Sequence, residues 1–347
     1  MKTKMTSMER VLTTLSHNEP DRVPQFLLLT MHGAKELGMN IKEYFSKGEN
    51  VVEGQLRLQK KYRNDCYYPF FYAPLEIEAF GGEVIYREDG PPNTALPVIR
   101  NIEKIFELES PKISESKMLH KVLFAIEKLK QTAQSEVPII GVVMSPFSLP
   151  VMQLGFDKYL EIMHYRKDLF DHLMRVNEEF CVEWGNAQLA AGATAICYFD
   201  PVSSSTIIPP DLYFKTGFRI AQQTIARIKG ATATHFASGN CLPIANLVPG
   251  SGTAVVGVSS MENLANLKEA FKNKLTLLGN LNGIEMRRWT TDEATQNVRN
   301  AIEIAAPGGG FILSDNHGEI PFQVSDEVLM AISEAVHEYG VYEETVG

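Results

Sequence analysis

The sequence is short of long apolar runs, of basic clusters and of paired cysteines. No stretch approaches the roughly 18 or more consecutive apolar residues that a membrane span requires, so no membrane association is expected. The lack of basic clusters, with a formal net charge of -9, removes the electrostatic footprint of a nucleic-acid binder. Cys66, Cys181, Cys197 and Cys241 form no CxxC pair and no disulfide framework. Three of them sit in or beside apolar stretches, where a thiol acts as a small hydrophobe, and that usage suits a reducing compartment. The opening MKTKMTSMERVLTTL lacks the apolar core of a signal peptide and reads as an amphipathic helix, so a cytoplasmic address is expected.

What is present is the material of a full core, 44% apolar against 22% charged residues. Short runs rich in Val, Ile, Leu and Phe recur at Val23–Thr30, Cys66–Tyr72, Ile139–Ser145, Ala193–Asp200, Ala231–Ala237, Ala254–Ser259, Leu275–Asn280 and Gly310–Asp315. Their unbroken apolar character is what strands buried on both faces need. Helical patterns such as Phe156–Ala191 and Leu212–Ile228 lie between them, which suits right-handed βαβ units. Eight such runs predict a (β/α)8 TIM barrel with an N-terminal helical extension. A doubly wound open sheet fits less well, since no Gly-rich turn follows the first run. The Pro/Gly-rich stretch Gly90–Pro97 reads as a surface excursion before the third strand. No linker or repeat divides the chain, so residues 1–347 are expected to form one domain.

In such a barrel the reactive groups project from the C-terminal strand ends and the loops that follow. That rule selects Thr30, Met31 and His32; Glu76 and Glu78; Ser145; Asp200 with Ser203–Ser205; His235, Ser238, Asn240 and Cys241; Ser259 and Ser260; Asn280 and Asn282; and Asp315, Asn316, His317 and Glu319. Histidines and acids on one rim suit either a divalent metal or acid–base work. Each residue also has a structural reading. His235 reads equally as a satisfied core histidine, His317 as a turn residue, Asp200 before Pro201 as the start of a loop, and Glu78 as a cap. Cys241 reads as packing, and Met144 and Phe147 as pocket wall or core.

At these residues the chain resembles the uroporphyrinogen decarboxylase superfamily, and within it the corrinoid-dependent methyltransferase branch. The resemblance rests on MTSMERVLTTLSHNEPDRVP, LEIEAFGGEV, GATAICYFDPVSSSTIIPPDLY, LTLLGNLNG and GGGFILSDNHGEIPFQVSDEVLMAI, in that order. True decarboxylases of the family carry an arginine-rich segment of the type MRQAGRY for substrate carboxylates. The corresponding FLLLTMHGAKELG here has no arginine. Coenzyme M methyltransferases of the superfamily hold zinc with His-x-Cys after the fifth strand and a Cys after the eighth. Here HFASGN keeps His235 but has Ala237 at the cysteine position, and DNHG puts His317 at the other.

The resemblance therefore implies a harder site, with His235 and His317 as metal ligands completed by a carboxylate among Glu78, Asp200, Asp315 and Glu319, of which Glu319 is taken, and zinc, where bound, acting as a Lewis acid on an oxygen. It implies removal of a methyl group from an O-methyl donor, a methoxylated aromatic by preference, and delivery to the Co(I) corrinoid of a partner corrinoid protein. Cobalamin is expected on that second polypeptide, because the DxHxxG signature for displacing the lower cobalt ligand is missing. His235, His317 and Asp200 are the expected catalytic residues; without metal, a protonated His or acid would donate to the oxygen. Glu78, Phe71, Tyr72, Met144, Phe147, Phe199 and Asn282 are the expected substrate contacts. Rival readings are a methylcobalamin:thiol methyltransferase, a tetrapyrrole decarboxylase and a non-catalytic corrinoid-protein binding module.

Overall fold

The computed structural model describes residues 4–343. Seven parallel strands run in the order β1-β9-β8-β7-β6-β5-β4. They are β1 (Gln25–Phe26), β4 (Ile140–Met144), β5 (Ala195–Phe199), β6 (Ala231–His235), β7 (Val255–Gly257), β8 (Thr276–Leu281) and β9 (Phe311–Asp315). Each overlaps a run picked out by its apolar character. The remaining pair, β2 (Val84–Ile85) and β3 (Asn93–Thr94), forms an antiparallel hairpin and accounts for the excursion around Gly90.

The expected second barrel strand, Cys66–Tyr72, is reduced to a single rung. Tyr67 pairs with Ile139 in parallel: its N–H donates to Pro138 O at 2.8 Å and its carbonyl accepts from Ile140 N at 3.0 Å. On the other side Asp65 N donates to Gln25 O at 2.9 Å, so the segment bridges β1 and β4 and closes the barrel. Pro69 explains the brevity, since it has no N–H to offer a ladder. Beyond it the chain leaves the barrel for the short helix Leu75–Ala79.

Where the ladder is thin, charge holds the seam. The Asp65 carboxylate, 1% exposed, accepts from both Nη atoms of Arg22 at 2.6 and 3.0 Å and from Arg10 Nη1 at 2.7 Å. Gln25 N at 2.9 Å and Ser7 Oγ at 2.8 Å also donate to it. Arg10 in turn grips Asp21 through Nε and Nη2 at 2.6 and 2.8 Å. The DRVP segment thus joins the N-terminal helix Ser7–Leu15, β1 and the bridging segment around one buried carboxylate. That helix starts at a capping box between Thr6 and Glu9 and turns Val11 into the core.

Along β5 and β6 the inward positions are small. Ala195, Cys197, Ala231 and Ala233 stand where barrel interiors more often carry bulky branched residues. A cavity of about 140 Å³ lies there, with Val11, Leu12 and Leu15 of the N-terminal helix beneath it. The helical patterns are interrupted where polar residues fall: Phe156–Tyr165 and Lys167–Ala191 are separate helices, as are Pro210–Lys215 and Gly217–Ile225. All four cysteines are free and buried. Among the described residues no helix is long and apolar enough to cross a membrane.

The seam makes a testable demand. Asp65→Ala leaves the Arg22 guanidinium buried without its carboxylate, a loss of about 3–5 kcal/mol. The urea midpoint should drop accordingly, with the smaller defect in Asp65→Asn; an unchanged midpoint would show that the seam does not depend on this ion cluster.

Candidate active site

His235 ends β6 and is completely buried. Its backbone pairs with Phe199 of β5 and Gly257 of β7. Gly257 is glycine because the ring of His235 lies over it: a Cβ there would stand 2.5 Å from Cδ2 of the imidazole. Nδ1 accepts from Ala237 N at 3.0 Å, which places the ring proton on Nε2; Nε2 itself has no protein partner. The return that brings this N–H back is tight, with Ala237 at φ +52°. Burial pushes the His235 pKa down to about 4, and positive charge on His317 opposes its protonation further. The ring is neutral at physiological pH.

His317 follows β9 on the turn Asp315–Glu319. It is half-buried, and burial lowers its pKa as well. Its Nδ1 shares a short hydrogen bond with Ser238 Oγ, leaving Nε2 without a partner. Ser259 Oγ donates to Ser238 O at 2.9 Å, so the loops after β6, β7 and β9 are tied together. The turn is shaped by Asp315, whose Oδ2 accepts from His317 N at 2.8 Å and Gly318 N at 2.9 Å. From below, Tyr68 OH donates to Gly318 O at 3.0 Å. Phe199 stands beside both histidine-bearing segments. Its ring centroid is 5.4 Å from that of His235, and a Cβ on Gly318 would meet it at 2.6 Å.

Two carboxyls complete the rim, and desolvation favours the neutral form of each. Burial raises Asp315 to about 6, against hydrogen bonds from the backbone of its own turn, and its Oδ1 has no partner. Glu319 is raised to about 7, by burial first and by the charge of Asp315, against a short hydrogen bond from Thr30 Oγ1.

The structure therefore brings together His235, His317 and Phe199 of the expected set, with Ser238 in support, and places Glu319 on the same turn as His317, against Thr30 and near Asp315. It does not bring the others. Asp200 is the outward neighbour of Phe199 in the strand alternation. Its Oδ1 accepts from Ser145 Oγ at 2.5 Å and Ser148 Oγ at 2.8 Å, a buried loop anchor rather than a group at the mouth. Glu78 accepts from Tyr72 OH at 2.6 Å on the helix that follows Pro69, and Tyr72 also meets Tyr86 at 3.0 Å. Phe71 and Tyr72 pack on Phe45, with centroids 5.5 and 5.3 Å apart, because the chain has already left the barrel there. Phe147 packs on Tyr159 and Phe170 in the outer core, and Met144 is buried in the cluster that contains Phe71 and Tyr72. Asn282 Oδ1 accepts from Ile284 N and Glu285 N, both at 3.1 Å, and so starts a helical turn. Cys241 lies in the core, its N–H donating to Glu262 at 2.8 Å.

The zinc set expected from the resemblance does not fit these residues. Among the described residues no group of three or more His, Cys, Asp or Glu side chains is placed to hold a metal ion. The His235 tautomer presents Nε2–H, a donor, where a metal would need a lone pair. The group missed by sequence reasoning is Tyr68; its position one residue before Pro69, at the close of the bridging rung, is the signal that points inward.

A parallel barrel whose C-terminal rim gathers neutral histidines and acids defines an enzyme-like architecture of the (β/α)8 class. The chain belongs to the uroporphyrinogen decarboxylase family, whose model, described as Uroporphyrinogen decarboxylase (URO-D), matches residues 6–339. It is 27% identical over 231 residues to the uroporphyrinogen decarboxylase of Nitrosospira multiformis, covering 63% of this chain and 62% of that protein. It is 25% identical over 197 residues to the methylcobamide:CoM methyltransferase MtaA of Methanosarcina barkeri, covering 54% and 57%. The matched regions thus span about three-fifths of those relatives' length. In fold it is similar to a methyltransferase from Methanosarcina mazei, with TM-score 0.82 at 19% identity over 97% of this chain and 99% of the other.

Two outcomes follow from this geometry. Gly257→Ala must displace the imbedded His235 ring, and a misplacement approaching 1 Å costs on the order of 100-fold in turnover; circular dichroism should show the fold retained while kcat falls. The second concerns Glu76, buried behind β4, whose Oε1 accepts from Met144 N at 2.9 Å while Oε2 has no partner. Burial raises its pKa from 4.5 to about 8. The folded state then holds a proton that the unfolded chain releases from about pH 4.5 upward. Its contribution to stability is complete below 4.5, falls by up to about 1.4 kcal/mol per pH unit, and is gone above 8. Glu76→Gln should flatten that slope in urea unfolding series run from pH 5 to pH 9; identical slopes in both proteins would contradict it.

Proposed function

We propose that this chain removes a methyl group from an oxygen-linked donor, a methoxylated arene by preference, for delivery to the cobalt of a corrinoid carried by a separate protein. The observation that carries this reading is the chemistry of the rim: two neutral imidazoles with unpartnered Nε2 atoms, and, on the turn that carries His317, a carboxyl that stays protonated up to about pH 7. The likeness to a methylcobamide:CoM methyltransferase and to a solved methyltransferase supports methyl transfer as the reaction type. In this reading residues 1–347 act as one catalytic unit in the cytoplasm, where four free thiols persist.

When bound, the Co(I) corrinoid supplies the nucleophile for the methyl carbon. What this chain supplies is relief of the charge that develops on the departing oxygen. His235 donates a hydrogen bond from Nε2, and its Nδ1 contact with Ala237 keeps the proton on that side of the ring. Glu319 gives its proton to the oxygen, so that a neutral phenol leaves. Phe199, packed beside His235, offers the aromatic face on which the donor's ring rests.

The rival readings lack their groups. Decarboxylation of a polycarboxylate needs cations, and none of the side chains gathered around His235 and His317 carries one. Methylation of a thiol needs a thiolate-rich metal site, and Ala237 stands at the cysteine position while Cys241 is packed in the core.

Incubation of the enzyme with cob(I)alamin and a panel of methoxyarenes, methanol and methylamines tests this directly. Methylcobalamin should appear in the visible spectrum with the methoxyarenes. The rate should fall as pH rises through about 7, because Glu319 then loses the proton it donates. Glu319→Gln should lower kcat by about 100-fold or more with KM little changed. Methylcobalamin consumption by a thiol, or carbon dioxide release without methylcobalamin, would replace this function with one of its rivals.

A further inference from the structure

The cavity in the floor of the barrel lies on the opposite side of the interior from the rim. It holds about 140 Å³ and has no charged side chain in its lining. Strand alternation explains how it arises. On β6, Ala231, Ala233 and His235 share the inner face, so the strand that presents the histidine has nothing larger than a methyl group below it. On β5, Ala195 and Cys197 repeat the pattern beneath Phe199. Leu28 of the first strand region and the ring of Tyr68 form further wall, and the hydroxyl of Tyr68 is spent on Gly318 O above. Below, the amphipathic helix Ser7–Leu15 places Val11 and Leu12 against the space.

The lining is almost wholly apolar, with Thr194 and Thr232 its only hydroxyls besides that of Tyr68, and the space opens to the bottom of the barrel past the exposed Leu12, Ala231 and Ala254; apolar cavities of comparable volume accept benzene or xenon. We propose that the barrel floor is a binding site for a small uncharged apolar molecule of about benzene's size, separate from the catalytic rim. The ligand is held by contact with the Ala, Leu and Tyr68 walls, and it enters from the bottom of the barrel, beside the helix Ser7–Leu15, rather than through the mouth. Recognition is by shape and apolarity, because no charged group faces the space.

The test uses the full-length protein. Xenon-pressurised crystals should show one xenon site among Ala195, Ala233 and Leu28. Benzene at about ten times its dissociation constant should raise the thermal midpoint by about 2 °C. Ala233→Leu, which fills the space, should abolish the benzene shift; where it fails to fold, Ala195→Val serves the same purpose. An empty floor under xenon with no benzene shift overturns the proposal, as does a benzene shift that survives in the filled variant. Because none of these readouts measures turnover, they are independent of the proposed reaction.

Discussion

The buried carboxylate of Asp65 is the constraint on which this barrel depends. A closed parallel barrel needs each strand hydrogen-bonded on both sides. Here the second strand contributes one rung before Pro69 ends it. Two arginines, one from the N-terminal helix and one from the segment before β1, converge on Asp65 in place of the missing ladder. The motif ending DRVP thereby acquires a physical meaning. Asp21 holds Arg10, Arg22 holds Asp65, Val23 is fully buried, and the N-terminal helix is carried under the barrel as part of the same cluster.

Closure decides what the rim can be. His235 and His317 come from strands separated by two others, β7 and β8, and only a curled sheet turns their loops toward each other. Once gathered, they are governed by desolvation. Imidazoles lose their charge, and of the two raised carboxyls Glu319, at about 7, retains a proton to donate near neutral pH, whereas Asp315, at about 6, is mostly ionised there and holds its turn. Such a surface suits an ether oxygen that becomes anionic only as its bond to carbon breaks.

The strands were legible because burial on both faces demands unbroken apolar runs, and their C-terminal residues located His235 and His317 without coordinates. Face, by contrast, was not legible for residues beside them. Asp200 and Phe199 are adjacent and equally placed in the linear pattern, yet alternation sends one to a serine cluster and the other to His235. Phe71 and Tyr72 look like pocket wall while the run Cys66–Tyr72 is read as a strand. Pro69 shortens that strand and delivers both rings to Phe45. Glu78 follows the same departure. The metal set failed for a related reason: spacing brings histidines to a rim, whereas ligand capacity depends on which ring nitrogen is already committed, and Ala237 N–H commits Nδ1 of His235.

The tie that runs from His317 to Ser238 and on to Ser259 has an evolutionary corollary. Barrel enzymes diversify by exchanging individual strand-end loops on a constant scaffold. In this chain three of those loops are stitched by two serine hydroxyls, so a new loop after β7 would also disturb the orientation of an imidazole borne after β9. Loops joined in this way are inherited as one module, and variation is expected to gather instead on the side of the rim that the stitching leaves out.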